Sequence, residues 1–495
     1  MTMGLDIERS EFTEADYRSF RNQLHGNLQA LQQLLNQPGF GEGDTTIGAE
    51  LEMYIVDQQA RPLFVNQALH ADVDDDQLAL ELNRYNLEYN LSPVPALGTP
   101  FSALEHEVLD ALNRLQQAAD SYGGQVVPIG ILPTLKRRHF GPHAMTDLPR
   151  FHALTEALAQ MRGELFCIRI NGPEAISLRS RDVTLEGANT SMQLHYRVMP
   201  DRFADLFNAM QLATPVVLSI AGNSPFMLGQ RLWHETRIPL FKHAIDGRTR
   251  DLREAHIPSR VSFGHGWVRS GAYELFAEAV HLHEPILPIT NGEDAEAVLA
   301  SGEIPSLFEL RLHQGTVWPW NRPVFDDADG GHLRIEMRAL PAGPTPCDMM
   351  ANAAFLIGLA EGLSENIEGH IPAMPFQAVT HNFYRAAEKG MNTRLLWPDS
   401  DVHNPLAAYP ACELAKSLLP VAQEGLHSIG VSDAESSRYL GIIRRRIEKR
   451  QTGACWQLKT FKRLLNTEVR HRALTLMMKS YIEQARKNKP VSDWT

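Results

Sequence analysis

Two glutamates stand two residues apart in the run GAELEMYIVD, residues 48–57. On an extended chain, residues i and i+2 share a face, so Glu50 and Glu52 point the same way, with Tyr54 beyond them. Taken singly, an ExE step is ordinarily a solvated strand face. Here the pattern recurs. Glu88 lies between Leu87 and Tyr89, His195 between Leu194 and Tyr196, and Glu336 between Ile335 and Met337. Each sits on a period-two alternation whose other face is apolar. Four candidate strands therefore turn Glu50, Glu52, Glu88, His195 and Glu336 toward one side. Unpaired carboxylates gathered on one face repel, so such a face requires cations. Carboxylate oxygen is the preferred ligand of magnesium and manganese, and one imidazole is compatible with either. Ions so held clamp nucleotide phosphates and neutralise charge during phosphoryl transfer.

Glu81 precedes Glu88 by seven residues. An odd separation places the two on opposite faces of a straight strand, so both reach one ion only if a turn or bulge intervenes. The stretch Asn83-Arg84-Tyr85-Asn86, poor in β-branched residues, permits one. Arginines accompany the acids. Arg338 shares the face of Glu336, and Arg322 follows the aromatic stretch Trp318-Pro319-Trp320. Arg260 and Arg269 flank Ser262–Trp267, read as a loop. Guanidinium forks suit phosphate and carboxylate oxygens, although surface pairing explains Arg269 equally well. The basic run 444–450 reads as the solvated face of a helix. HExxH, GxSxG and a GxGxxG following a strand are absent, and the glycine-rich GFGEGD at 39–44 lacks the pattern of a phosphate-binding loop.

Positioning these groups takes a sheet with one apolar face, a pattern commonest in antiparallel sheets, and helices to cover that face. A fifth strand is expected at Leu307–His313, where Glu309, Arg311 and His313 alternate with Phe308, Leu310 and Leu312. Helical periodicity marks 13–36, 101–122, 149–164, 200–221, 270–280 and 346–366. From Leu406, beyond Pro405, the chain reads as wholly helical, over 408–427, 433–450 and 456–487.

With 47 basic and 59 acidic residues, the 495-residue chain carries a net charge of −12, which disfavours a sequence-independent nucleic-acid binder. An anionic substrate would need local arginines or bound metal. The four cysteines, Cys167, Cys347, Cys412 and Cys455, form no CxxC pair, which suits a reducing compartment. The acidic N-terminus lacks the apolar core of a secretory signal, and no apolar run is long enough to span a bilayer. The expected location is cytoplasmic.

GAELEMYIVD (48–57), ELNRYNLEYNLSPV (81–94), SMQLHYRV (191–198), AGNSPF (221–226), SRVSFGHG (259–266), GTVWPWNRP (315–323) and HLRIEMRA (332–339) together resemble the glutamate–cysteine ligase family and, more distantly, glutamine synthetase. RQTGACWQ (450–457) looks like a C-terminal segment of some bacterial members. The resemblance implies an α+β, glutamine-synthetase-like fold. Its curved, mainly antiparallel sheet would hold ATP and two or three magnesium ions on the concave face, with manganese able to substitute, and helices on the other face. It implies a catalytic domain over 1–405 and a helical extension over 406–495. By this resemblance Glu50 and Glu52 ligate different ions, and Glu81, Glu88, His195 and Glu336 match the remaining metal ligands. Arg322 and Arg338 match phosphate-contacting, catalytic arginines. Arg260 matches an arginine near the acyl phosphate or the amino-acid carboxylate. The implied reaction passes through a γ-glutamyl phosphate. The implied partners are glutamate, ATP and an amine such as cysteine, with neither nucleic acid nor membrane; a homo-oligomer stays open. Three other readings remain: a ligase for a non-cysteine amine, a metal-dependent hydrolase using the same carboxylate–histidine cluster, and a non-catalytic scaffold.

Overall fold

The structure is a computed structural model that describes residues 12–399 and 406–495. The start of the acidic N-terminal segment (1–11), and Pro405 with the expected domain boundary beside it, lie outside the described residues. In chain order the strands are β1 (Thr46–Asp57), β2 (Leu78–Leu80), β3 (Asn86–Pro95), β4 (Gly124–Val127), β5 (Phe166–Asn171), β6 (Ala175–Ser180) and β7 (Met192–Val198). They continue with β8 (Phe226–Met227), β9 (Gln230–Arg231), β10 (Asn321–Asp326), β11 (His332–Met337), β12 (Arg394–Pro398) and β13 (Leu406–Pro410). Seven of them form one antiparallel sheet in the order β10-β11-β7-β1-β3-β2, with β4 also paired to β1. The long β1 meets β3 along one edge and, on the other, β7 near its start and β4 near its end.

Register brings the polar residues to one face. Glu52 lies opposite Glu88, Glu50 opposite Gln193, His195 opposite both Gly48 and Glu336, and Arg322 opposite Glu336. Directly paired residues in an antiparallel sheet project to the same side. The alternation read from sequence thus becomes one continuous acidic wall. Its back is apolar: Ile47, Ala49, Leu51, Met53 and Ile55 are all buried.

Helices cover that back. Pro346–Ser364 opens with proline at its first position and runs under β7, where Glu361 accepts from the Tyr196 hydroxyl at 2.5 Å. Phe203–Ser219 runs under β10; Asn321 donates to Gln211 at 2.8 Å and to Thr214 at 3.2 Å. The N-terminal helix, Glu14–Leu34, starts from a capping box in which Thr13 and Asp16 satisfy each other's backbone N–H.

Three expectations need correction. Leu307–His313 is not a strand: a helix spans Phe308–Gln314, and Leu307 enters it at φ +46. FELRLHQ alternates by chance, and seven residues are too few for a period of two to exclude one of 3.6. The chain after Leu406 is not wholly helical, because β13 pairs with β12 before the helices begin at Ala411. The run 444–450 is not a solvated face throughout. Arg446 lies among Ile442, Ile443 and Ile447 on the buried side of its helix and pairs with Asp348 at 2.8 Å.

The C-terminal helices are joined closely to the rest. Leu419–Ser428 crosses Pro346–Ser364 at glycines: a Cβ on Gly425 would lie 2.0 Å from the Gly358 carbonyl oxygen, so only glycine permits the approach. Asn223, in the AGNSPF segment, donates to the Tyr481 hydroxyl and to the Ala342 carbonyl, each at 2.8 Å. Its own side-chain oxygen accepts from Gln457 at 2.9 Å. AGNSPF and GACWQ therefore meet in one buried junction. No helix among the described residues is long and apolar enough to cross a membrane.

Candidate active site

Glu50, His195 and Glu336 converge from three adjacent strands, each offering a ligand atom within 4.8 Å of the others. His195 Nε2 lies 2.9 Å from Glu50 Oε1, yet neither ring nitrogen makes an aligned hydrogen bond. A buried imidazole without a bonded partner is costly unless another group completes it, and a cation among two carboxylates would. Burial alone would raise the Glu336 carboxyl. The guanidiniums of Arg322 and Arg338 flank it on both oxygens and, with His195 nearby, hold it at about 2. Arg322 also donates to the Gln314 carbonyl at 3.2 Å, which fixes its fork from the helix expected as a strand.

A second group of acids lies beside the first. Glu52 accepts from the Ser191 backbone N–H at 2.7 Å and from Gln193 at 3.0 Å. Desolvation and the neighbouring Glu81 nonetheless push it to about 7, against the pull of Arg237 and Arg338. Glu88 is raised well above its ordinary value by burial and by Glu50, Glu81 and Glu52. Glu81 is raised chiefly by burial, with Glu50 adding to the shift, while its own Leu82 N–H and Arg150 oppose it. A hairpin resolves the odd spacing. Ala79 pairs with Glu88 across β2 and β3, so Glu81, two residues beyond Ala79, comes back to the face of Glu88. The turn required between the two is present.

The structure thus brings together Glu50, Glu52, Glu81, Glu88, His195, Glu336, Arg322 and Arg338. Arg260 is committed to backbone carbonyls. That guanidinium is buried against the carbonyls of Thr316, at 3.1 Å, and Glu284, and burial lowers it to about 10. Arg269 is exposed and faces Glu274.

Two members of the site escaped the sequence reading. Glu186, on the turn Glu186–Ala188, is raised well above its ordinary value by burial and by Glu81 and Glu52. Tyr54 holds that turn in place by donating to the Ala188 carbonyl at 2.5 Å. Arg237 starts the helix Arg237–Ala244 and donates to the Ala339 carbonyl at 3.1 Å, next to Arg338. Neither lies on an alternating strand; only proximity in space marks them.

The donor set fits divalent cations. Carboxylates kept protonated by burial and by neighbouring like charges release those protons to a divalent ion. Glu50, His195 and Glu336 would hold one ion, and Glu52, Glu81 and Glu88 lie beside them as further carboxylates.

Among solved structures, the fold is similar to that of glutamate–cysteine ligase from Francisella tularensis in complex with AMP. The two match with a TM-score of 0.53 and 11% identity, over 90% of each chain. A bifunctional glutathione synthetase from Pasteurella multocida matches at a TM-score of 0.45 and 12% identity, over 95% of this chain and 55% of that one. Comparison with curated protein sequences finds no match. The sheet and its concave acidic wall have the glutamine-synthetase-like ligase fold. The model of glutamate–cysteine ligase family 2 matches residues 46–480, and the chain belongs to that family of carboxylate–amine ligases.

Proposed function

We propose that the chain is an ATP- and magnesium-dependent ligase that joins the γ-carboxylate of glutamate to an amine, with cysteine as the first candidate. The observation that carries this reading is the convergence of Glu50, His195 and Glu336 beside two arginines and a second carboxylate group. Family membership and the nucleotide held by the similar Francisella ligase support it.

In this reading a carboxylate oxygen of glutamate attacks the γ-phosphorus of ATP in line. The bond to the bridging oxygen breaks, giving γ-glutamyl phosphate and ADP. The amine nitrogen then attacks the acyl carbon, phosphate leaves and the amide forms. Bound magnesium would supply charge neutralisation at the phosphates. Arg338 and Arg322 would steady the transferring phosphoryl group, since both already lie at the Glu336 carboxylate beside the other acids. The arginines and the apolar backing of the sheet would exclude bulk water, which protects an acyl phosphate from hydrolysis. Arg260, bound to backbone carbonyls, is better suited to bracing the 316 and 284 segments than to binding the amino acid.

The test is an ADP-release screen of glutamate against a panel of amines, with product masses measured. Turnover that needs glutamate, an amine and ATP supports the reading. ADP release unaffected by any amine points to a hydrolase, and turnover with every acid except glutamate removes the glutamate assignment.

A further inference from the structure

On the far side of an aromatic wall from the acidic cleft lies an open surface pocket of about 450 Å³. Its lining is the reverse of the chain's net charge: Arg61, Arg84 and Arg138 surround it with His139 and His143, and Phe64 forms part of the wall. Asp57 is the one acid in that lining, and Arg61 occupies it at 2.8 Å. The other two guanidiniums lack such a partner. Arg84 reaches only the carbonyls of His143 and Phe64, both at 3.4 Å, and Arg138 reaches the His139 ring at 3.4 Å. Neither has a carboxylate at ion-pair distance among the described residues. The cations outnumber that one acid, which Arg61 already occupies; burial, Arg138 and Lys136 push His139 down to about 4. An arrangement of this kind is relieved by a ligand that brings negative charge.

The pocket is built from ordered parts. The Phe64 ring packs edge-on against Tyr85, 5.2 Å between centroids, and Tyr85 stacks on Tyr54 at 5.9 Å. Tyr54 and Tyr85 are both fully buried, so this wall separates the pocket from Glu52, which shares the face of Tyr54. Thr134, at the start of the segment that carries Arg138, is tied to the Ala60 carbonyl. A volume of this size matches a small-molecule site.

We propose that this pocket is a second binding site, separate from the metal-binding cleft, for a small polyanion carrying two or more carboxylate or phosphate groups. Arg84 and Arg138 would pair with its oxygens. Arg84 belongs to the turn that returns the chain from Glu81 to Glu88, so the ligand would rest against the outside of the hairpin that carries both acids. The site does not depend on the ligase reading.

The test is calorimetric titration of the full chain in EDTA, in separate arms with pyrophosphate and with citrate. Chelation removes divalent ions from the acidic cleft. Saturable binding that weakens at least tenfold in Arg138→Gln and in Arg84→Gln, and stays within twofold in Arg338→Gln, is the expected result. Arg138 is exposed, so its variant keeps the test valid if Arg84→Gln fails to fold. Preference for pyrophosphate or for citrate identifies the source of the charge. Binding of neither anion, or binding lost in Arg338→Gln and kept in Arg138→Gln, overturns the proposal.

Discussion

Glu336 and Glu52 occupy the same face of one sheet; burial raises both carboxyls, and their neighbours then send them in opposite directions. Glu336 is enclosed by two guanidiniums and stays ionised to about pH 2. Glu52 has Glu81 for a neighbour, and its carboxyl rises to about 7. One half of the cleft is neutralised by the chain itself. The other half carries more negative charge than its arginines balance. The difference shows where bound cations would matter most: Glu336 needs them least, and Glu52, Glu81 and Glu88 need them to be ionised together.

The comparison breaks most visibly at Glu336. Glu336→Gln leaves Arg322 and Arg338 facing a neutral amide. Loss of one partner from a buried ion pair costs about 3–5 kcal/mol. Urea unfolding in EDTA is expected to show a loss of that order, and ADP release is expected to fall by about 10²–10³-fold. Glu52→Gln gives the contrast. It too should lower ADP release by about 10²-fold or more. In EDTA at pH 8, however, it removes a repelling charge, so its melting temperature should rise above that of the wild type. A fall in stability of the metal-free protein in both variants would erase the distinction between the two halves.

The pH dependence sharpens it. A free glutamate titrates near 4.3, so the metal-free contribution of Glu52 weakens as pH rises from about 4.3 to about 7, because the unfolded chain ionises first. Glu336 has the opposite slope: its contribution is present above about 4.3 and is lost as pH falls toward about 2. Magnesium should therefore raise the melting temperature more at pH 8 than at pH 6, read by calorimetry. A smaller effect is expected away from the cleft. Gly425→Ala forces a Cβ into the Gly358 carbonyl and should cost about 1–3 kcal/mol, with the magnesium response unchanged.

The sheet and its acidic wall were legible because strand periodicity survives in sequence wherever one face is packed. Gly48–Asp57, Met192–Val198 and His332–Met337 have that pattern, and each is a strand. Glu81 was placed by family resemblance, and the hairpin that carries it supplies the turn its spacing demanded. Glu186 was illegible because it stands on a turn, where no period operates. Its place depends on contacts such as Tyr54 with Ala188, 134 residues apart in the chain. The helix Phe308–Gln314 was misread because its side chains also alternate. Arg446 was misread because a basic run hides the one arginine that its helix turns inward. Arg260 shows the limit of motif matching: residue type fits a substrate contact, and geometry commits it to backbone carbonyls.

The most direct test of the metal-binding cleft is a manganese titration of the full chain followed by electron paramagnetic resonance, in the wild type and in Glu336→Gln. Two or three bound ions per chain in the wild type, with at least one lost in the variant, is the predicted result. No saturable manganese binding, or equal stoichiometry in both proteins, would contradict the account.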